Sequence, residues 1–230
     1  LESEVYEAQV ERMLYAERAA RAAVSFYKQL LHIDDSSSES RPIDRASWEE
    51  LERFVEYVFN EQDGKLSTLM TANYSWLTKH FEEVRRGDHL RQHVLCLPPM
   101  PSPDGFAEQI EEFKKKDFGD ISPREYALKR MEEGPACAGW HQQIDPLGWA
   151  VFHYDQQGSR REYYGPHDDI PVDASGDFTV SSTLELVFEN EREFVEQLAT
   201  SEHVARCNTL RWMQYLHASE YVDTCQVARH

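Results

Sequence analysis

Apolar residues at helical spacing, uninterrupted by proline or glycine, limit the fold of this chain more than any other feature. Over residues 2–31 they recur mostly three or four positions apart, which predicts an amphipathic helix or a pair of helices. Ser47-Trp48-Glu49-Glu50 resembles a capping box at the start of a second helix, and residues 66–81 form a third apolar run. We therefore expect a mostly α protein that opens with a helical, bundle-like region.

The composition supports a folded globular protein and excludes several kinds of partner. Of the 230 residues, 40% are hydrophobic, which is enough to bury a substantial core. The formal charge of −18 repels nucleic acid and anionic membranes and favours either solubility or a cationic partner. No apolar run approaches the roughly 20 residues that span a bilayer, so we predict no membrane span. Residues 1–20 lack the pattern of a signal peptide, and we expect a mature or trimmed fragment.

A thiol four residues before an imidazole, in Cys137-Ala138-Gly139-Trp140-His141, is the most specific chemical feature of the sequence. It is half of the C-x-x-C-H haem-attachment signature, in which two thiols bond to the haem vinyl groups and the histidine binds iron. Trp140 stands where the second thiol would be. The motif therefore indicates either a haem held through one thioether or the remains of a lost site.

Motifs of the common enzyme classes do not occur in the sequence. We find no G-x-S-x-G, phosphate-loop, dinucleotide-binding or H-E-x-x-H pattern. Four prolines within residues 98–103 predict an extended connector ahead of the Cys137 motif. Hydrolase, kinase and dehydrogenase functions therefore have weak support.

Three groups of short stretches carry a resemblance to a known family. The first group is Arg12-Met13-Leu14, Gln29-Leu30-Leu31 and Asp63-Gly64-Lys65-Leu66; the second is Arg86-Gly87, Leu95-Cys96, Pro98-Pro99 and residues 135–148; the third is residues 170–177, Cys207 and Tyr215. Together they resemble the secreted, planctomycete-type cytochrome-c-like proteins, a bacterial family built from three consecutive small domains. The resemblance implies a helical domain at 1–84 and a cytochrome-c-like haem domain with a short β/loop segment at 85–165. A C-terminal helical domain at 166–230 would pack on the haem domain.

Two positions depart from the family pattern near the haem motif. Trp140 replaces the second cysteine, which rules out attachment through two thioethers. Met131 lies where a histidine often precedes the motif in the family. Since methionine and histidine are the common second ligands of haem in electron carriers, Met131 is the first candidate for that role. Met100 and His153 are the alternatives.

The resemblance implies haem c bound to Cys137 through a single thioether, with His141 as the iron ligand on one side. The other ring nitrogen of His141 would donate to a backbone carbonyl, for which we expect the turn at residues 144–147. Arg160 would contact a haem propionate or form a surface ion pair. The side chains expected to enclose the haem are Trp140, Trp149, Phe152 and Tyr154.

The function implied by the resemblance is electron transfer by an exported protein of the periplasm or cell exterior. A redox partner, cationic in view of the acidic charge, and membership of a larger redox assembly are implied with it. The alternative is a haem-free structural or protein-interaction module of the same fold, in which Trp140 fills the volume of the missing thioether. With Cys137 assigned to haem, Cys96, Cys207 and Cys225 remain, and we expect a Cys207–Cys225 disulfide.

Overall fold

The computed structural model describes most of the chain and divides it into two compact units. The described residues are 2–14, 16–30, 45–60, 62, 64–71, 83–132, 134–154, 160–165, 169–181 and 184–218. One unit comprises Leu1–Trp76 with Leu198–His230, and the other comprises Leu77–Gln197. The three-domain division inferred from the resemblance stays a prediction, and the compact units divide the chain differently because residues after 165 are shared between them.

The protein is mostly helical, as predicted. In chain order the helices are α1 (Glu2–Leu14), α2 (Glu17–Leu30), α3 (Arg45–Asn60), α4 (Leu66–Thr71), α5 (Glu83–His89), α6 (Phe106–Phe113), α7 (Pro123–Glu132), α8 (Pro135–His141), α9 (Asp145–Trp149), α10 (Glu191–Thr200) and α11 (Glu202–His217). A π-helical turn, Leu90–Val94, continues α5. The strands β1 (Tyr163–Tyr164), β2 (Ile170–Pro171), β3 (Gly176–Ser181) and β4 (Leu184–Phe188) form two antiparallel pairs, β1–β2 and β3–β4. Within the described part of the chain, every helix is too short or too polar to cross a membrane.

The helices predicted from apolar spacing are present where the structure describes them. Residues 2–30 form two helices, so the pair of helices is the correct alternative. The second predicted helix begins at Arg45, two residues before the expected start at Ser47. The third run is described as α4, and its predicted continuation over residues 72–81 lies outside the described residues.

Aromatic packing between α2 and α11 forms the core of the first unit. Phe26 is buried and stacks on Trp212, with the ring centroids 4.0 Å apart. The hydroxyl of buried Tyr27 donates to Asn208 Oδ1 at 3.5 Å. These contacts join helices that are far apart in the sequence, because burial of aromatic surface favours their association.

Close packing of α5 against α9 organises the second unit. A Cβ atom placed on Gly87 would lie 2.1 Å from the backbone oxygen of Ile144, so the two helices approach each other only because residue 87 is glycine. Arg86 is fully buried and donates from Nη1 to the carbonyl oxygens of Val151 at 3.2 Å and Tyr154 at 2.5 Å. The Arg86-Gly87 pair therefore fixes the position of α9 and of the segment that follows it.

The β3–β4 hairpin covers part of the same unit. Along β4 the side chains of Leu184, Leu186 and Phe188 are buried and those between them are exposed, as expected for a strand with one buried face. Phe188 contacts Phe194 of α10, with ring centroids 4.9 Å apart. Residues of β3 also contact α9, so the hairpin supports the helix that α5 positions.

The state of the cysteines corrects one expectation. Cys96 and Cys207 are each disulfide-bonded, whereas Cys137 is a free thiol. Cys225 lies outside the described residues. Because the chain has four cysteines, a Cys207–Cys225 disulfide would leave no thiol for Cys96 to bond with, so that prediction is wrong. Closeness in the sequence, on which it rested, does not determine which thiols meet in the fold.

Candidate functional site

Helix α8 carries both chemical groups of the Cys137 motif and buries them. Pro135 lies in the first turn of α8, where proline is favoured. Cys137 and His141, four residues apart, lie on the same face of the helix and are 3% and 0% exposed. The Cys137 thiol donates to Gln109 Oε1 of α6 at 2.8 Å. The thiol and the imidazole therefore both project into the protein interior.

A carboxylate holds the ring of His141. After α8 the chain turns tightly, with the amide of Ile144 donating to the carbonyl oxygen of His141 at 3.0 Å. This turn brings Asp145 Oδ1 within 3.0 Å of His141 Nδ1. The turn is the expected one, but the partner of this nitrogen is a carboxylate. The prediction of a backbone carbonyl as the partner is therefore wrong. The carbonyl oxygen of Ile144 instead accepts from the amide of Gly148, within α9.

Arg130 of α7 completes a buried cluster with these two residues, which we call the His141 cluster (Arg130, His141 and Asp145). Arg130 Nη2 lies 3.5 Å from Asp145 Oδ2 and 3.3 Å from His141 Nδ1. The Asp145 side chain is only 2% exposed. Because a buried carboxylate is costly without a partner, the guanidinium stabilises it by supplying the balancing positive charge.

The second ring nitrogen of His141, Nε2, is buried and has no hydrogen-bond partner among the described residues. A buried polar atom left unpaired costs about 1–3 kcal/mol, and native proteins contain few of them. An imidazole held at Nδ1 by a carboxylate, with the lone pair of Nε2 available, is the usual arrangement of a metal-binding histidine. The Nε2 atom of His141 is therefore a candidate metal-binding atom.

Aromatic rings lie against this imidazole. The ring centroids of Trp140 and Phe106 lie 4.8 Å and 6.0 Å from the centroid of His141. Trp140 Nε1 donates to the carbonyl oxygen of Met100 at 3.4 Å, which brings the proline connector beside the site. The structure therefore places Trp140 next to His141 and adds Phe106, which the sequence did not single out.

Three other predicted haem contacts lie together in a different cluster. Trp149 and Phe152 are buried there, and Met131 is half-buried against them. Met131 and Trp149 also line an open cavity of about 590 Å³. Among the described residues, the lining of this cavity does not include His141. The roles of Met131, Trp149 and Phe152 toward a haem stay predictions.

Arg160 and His153 lie in polar surroundings. Arg160 is exposed and forms an ion pair with Glu162, with Nη2 and Oε1 2.9 Å apart. The surface ion pair expected as one alternative is therefore present, and contact with a propionate stays a prediction. His153 Nδ1 lies 2.9 Å from the carbonyl oxygen of Arg161.

Glu191 lies at the start of α10 and near Arg160. Its carboxyl group makes the stability of the protein depend on pH. Burial raises the pKa of Glu191 to about 7, and Arg160 partly opposes this shift. The folded state therefore binds the proton more tightly than an unfolded chain, whose carboxyl has a pKa of 4.5. This stabilisation is complete below pH 4.5 and is lost as the pH rises through 7. We expect Glu191→Gln to raise the urea midpoint at pH 8 and to leave it almost unchanged at pH 4.5.

Glu185→Gln, on the exposed face of β4, is the matched control. Its effect on the urea midpoint should be the same at both pH values. An equal effect of Glu191→Gln at both pH values would contradict the assignment.

The sequence did not single out Gln109, Arg130 or the side chain of Asp145. The spacing of four residues between His141 and Asp145 was a usable signal for a side-chain contact. Gln109 and Arg130 lie 28 and 11 residues before their partners, and no local pattern indicates those contacts.

The fold and the site define a mostly helical protein with a buried histidine whose Nε2 has no hydrogen-bond partner among the described residues. Two family models match parts of this chain. Residues 64–164 match the family model PSCyt3, described as a protein of unknown function (DUF1588). Residues 1–84 match PSD4, also described as a protein of unknown function (DUF1592). Both are domains found in planctomycete cytochrome-c-like proteins, so the resemblance is confirmed for the first two segments. Searches of curated proteins and of solved structures gave no match.

Proposed function

We propose that this chain is a c-type haem protein that transfers electrons, with one thioether to Cys137 and with His141 as an iron ligand. The observation that carries the proposal is the buried Nε2 of His141, which has no hydrogen-bond partner among the described residues. The segment similar to PSCyt3, which occurs in cytochrome-c-like proteins, contains the whole motif and supports the same conclusion.

The donor atoms of Cys137 and His141 suit such a group chemically. His141 offers a nitrogen lone pair, and Asp145 holds the ring through the other nitrogen. Cys137 donates in a hydrogen bond and therefore carries the hydrogen that addition to a vinyl group requires. In that addition the sulfur would bond to one vinyl carbon and the hydrogen to the other, so that no oxidant or reductant would be consumed. When bound, haem supplies a one-electron Fe(III)/Fe(II) couple.

The rest of the proposal concerns the surroundings of the site. Trp140 and Phe106 exclude water from one side of the imidazole, and local polarity sets the reduction potential of haem. Met131 is the proposed second ligand, with Met100 and His153 as alternatives.

We also propose export to the periplasm or cell exterior. The redox partner or assembly would be cationic, complementary to the charge of −18 on this chain.

A haem-free structural or interaction module of the same fold is the second candidate. Trp140 favours it, because the indole packs against Phe106, with ring centroids 5.0 Å apart, and donates to Met100. The position of the missing thiol is thus filled by a side chain that has its own contacts.

The proposal is tested by intact mass and an alkaline pyridine spectrum, after acid–acetone extraction of protein expressed with haem-attachment machinery. We expect one added haem mass and an absorption band red-shifted by the single unreacted vinyl group. Cys137→Ser should lose both. Trp140→Cys, which completes C-x-x-C-H, should move the band to the position of haem with two thioethers. A colourless wild-type protein of bare polypeptide mass overturns the proposal and leaves the haem-free module.

A further inference from the structure

The contact between His141 and Asp145 indicates which ring nitrogen carries the proton. Asp145 Oδ1 lies 3.0 Å from His141 Nδ1, and an ionised carboxylate only accepts hydrogen bonds. A bare Nδ1 at this distance would place two lone pairs against each other. Arg130 Nη2, which only donates, lies 3.3 Å from the same Nδ1, a longer contact than the one with Asp145. The shorter contact favours a hydrogen on Nδ1 that is donated to Asp145.

Arg130 determines the charge balance of the His141 cluster. Its guanidinium only donates hydrogen bonds, and Nη2 lies 3.5 Å from Asp145 Oδ2. The buried carboxylate thus already faces one cation. With the ring hydrogen on Nδ1, the lone pair lies on Nε2, the buried nitrogen that has no hydrogen-bond partner among the described residues.

We infer that Asp145 and Arg130 are positioning residues that hold His141 in the Nδ1-protonated tautomer and present Nε2 as an electron-rich ligand. A carboxylate that accepts from a ligating histidine raises the basicity of that ligand. A more basic ligand stabilises ferric iron relative to ferrous iron and lowers the reduction potential. The statement about iron rests on the proposed function, whereas the tautomer is a property of the metal-free chain.

The tautomer is measured by long-range ¹H–¹⁵N correlation spectra of the metal-free, ¹⁵N-labelled protein. We expect His141 Nδ1 at the shift of a protonated ring nitrogen and Nε2 at the shift of an unprotonated one. The reverse assignment in the wild-type protein overturns the inference without the use of any variant.

Two substitutions test the positioning residues separately. Asp145→Asn should replace the single wild-type tautomer by a mixture or by the Nε2-protonated form, and Arg130→Gln should shift both ring nitrogens toward a mixture. Asp173→Asn is the matched control, because Asp173 is an exposed carboxylate that pairs with Arg124, and it should leave the His141 signals unchanged. An unaltered His141 tautomer in both folded cluster variants overturns the positioning role.

The statement about iron is tested by redox titration of the haem-loaded protein. We expect Asp145→Asn to raise the reduction potential above that of the wild type, while Asp173→Asn leaves it unchanged. An unchanged or lowered potential in Asp145→Asn overturns the statement about iron. Failure of the wild-type chain to bind haem would remove the proposed function alone, since the spectra of the metal-free protein are independent of it.

Discussion

Replacing Gly87 by alanine is expected to destabilise the protein by at least about 3 kcal/mol, the upper part of the range for overpacked sites. The added Cβ would lie 2.1 Å from the oxygen of Ile144 and 3.0 Å from the amide nitrogen of Gly148. Both atoms are backbone, so neither can rotate away, and α5 and α9 would have to separate. Alanine forms helix better than glycine by only about 1 kcal/mol, so the steric effect exceeds the gain in helix propensity. Urea unfolding followed by circular dichroism measures the difference.

Gly139→Ala is the matched control for this prediction. Gly139 lies on the exposed side of α8, and a Cβ atom there would meet no described atom within 4 Å. The same substitution should therefore stabilise the protein by about 0.5–1 kcal/mol, through helix propensity alone. If the two variants unfold at the same urea concentration, the close approach of α5 and α9 is not what requires glycine at position 87.

The second large effect is expected from Arg86→Met, which keeps the length of the side chain and removes its charge and donors. Arg86 is fully buried and donates to the carbonyl oxygens of Val151 and Tyr154. Hydrogen bonds from a charged donor contribute about 1.5–3 kcal/mol each, so we expect a loss of about 3 kcal/mol or more. The free energy of unfolding in urea is the measurement.

Arg192→Met makes the same chemical change at an exposed position of α10. The Arg192 side chain is 84% exposed and pairs with Glu196 one turn away. Exposed pairs of this kind contribute little, so this variant should stay within about 0.5 kcal/mol of the wild type. A loss for Arg86→Met no larger than that of Arg192→Met would mean that Arg86 does not anchor the segment after α9.

Features formed by residues close together in the sequence were predicted, and contacts between distant residues were not. Apolar spacing predicted the helices, because a helical face is a property of residues three or four positions apart. The Cys137–His141 motif was found because its two groups lie four residues apart and match half of the C-x-x-C-H signature. The packing role of Arg86-Gly87 was not predicted, because the need for glycine arises from Ile144, which lies far along the chain.

The candidate site was also predicted only in part. Its two chemical groups were identified, and the turn that holds the imidazole was the expected one. Spacing alone did not separate the carboxylate of Asp145 from a carbonyl of the same turn, since both belong to the residues that closely follow His141 in the sequence. Arg130 and Gln109 reach the site through packing of α7 and α6, which no local pattern describes.

Under the proposed function, the burial of Cys137 would set the order of folding and haem attachment. Its thiol is 3% exposed and bonded to Gln109 of α6, so a large planar molecule has no direct route from solvent to sulfur. Under the proposed function, the thioether has to form while α6 is still detached from α8. A chain that completes folding first would have to reopen, and its rate of maturation would then be limited by local unfolding rather than by bond formation.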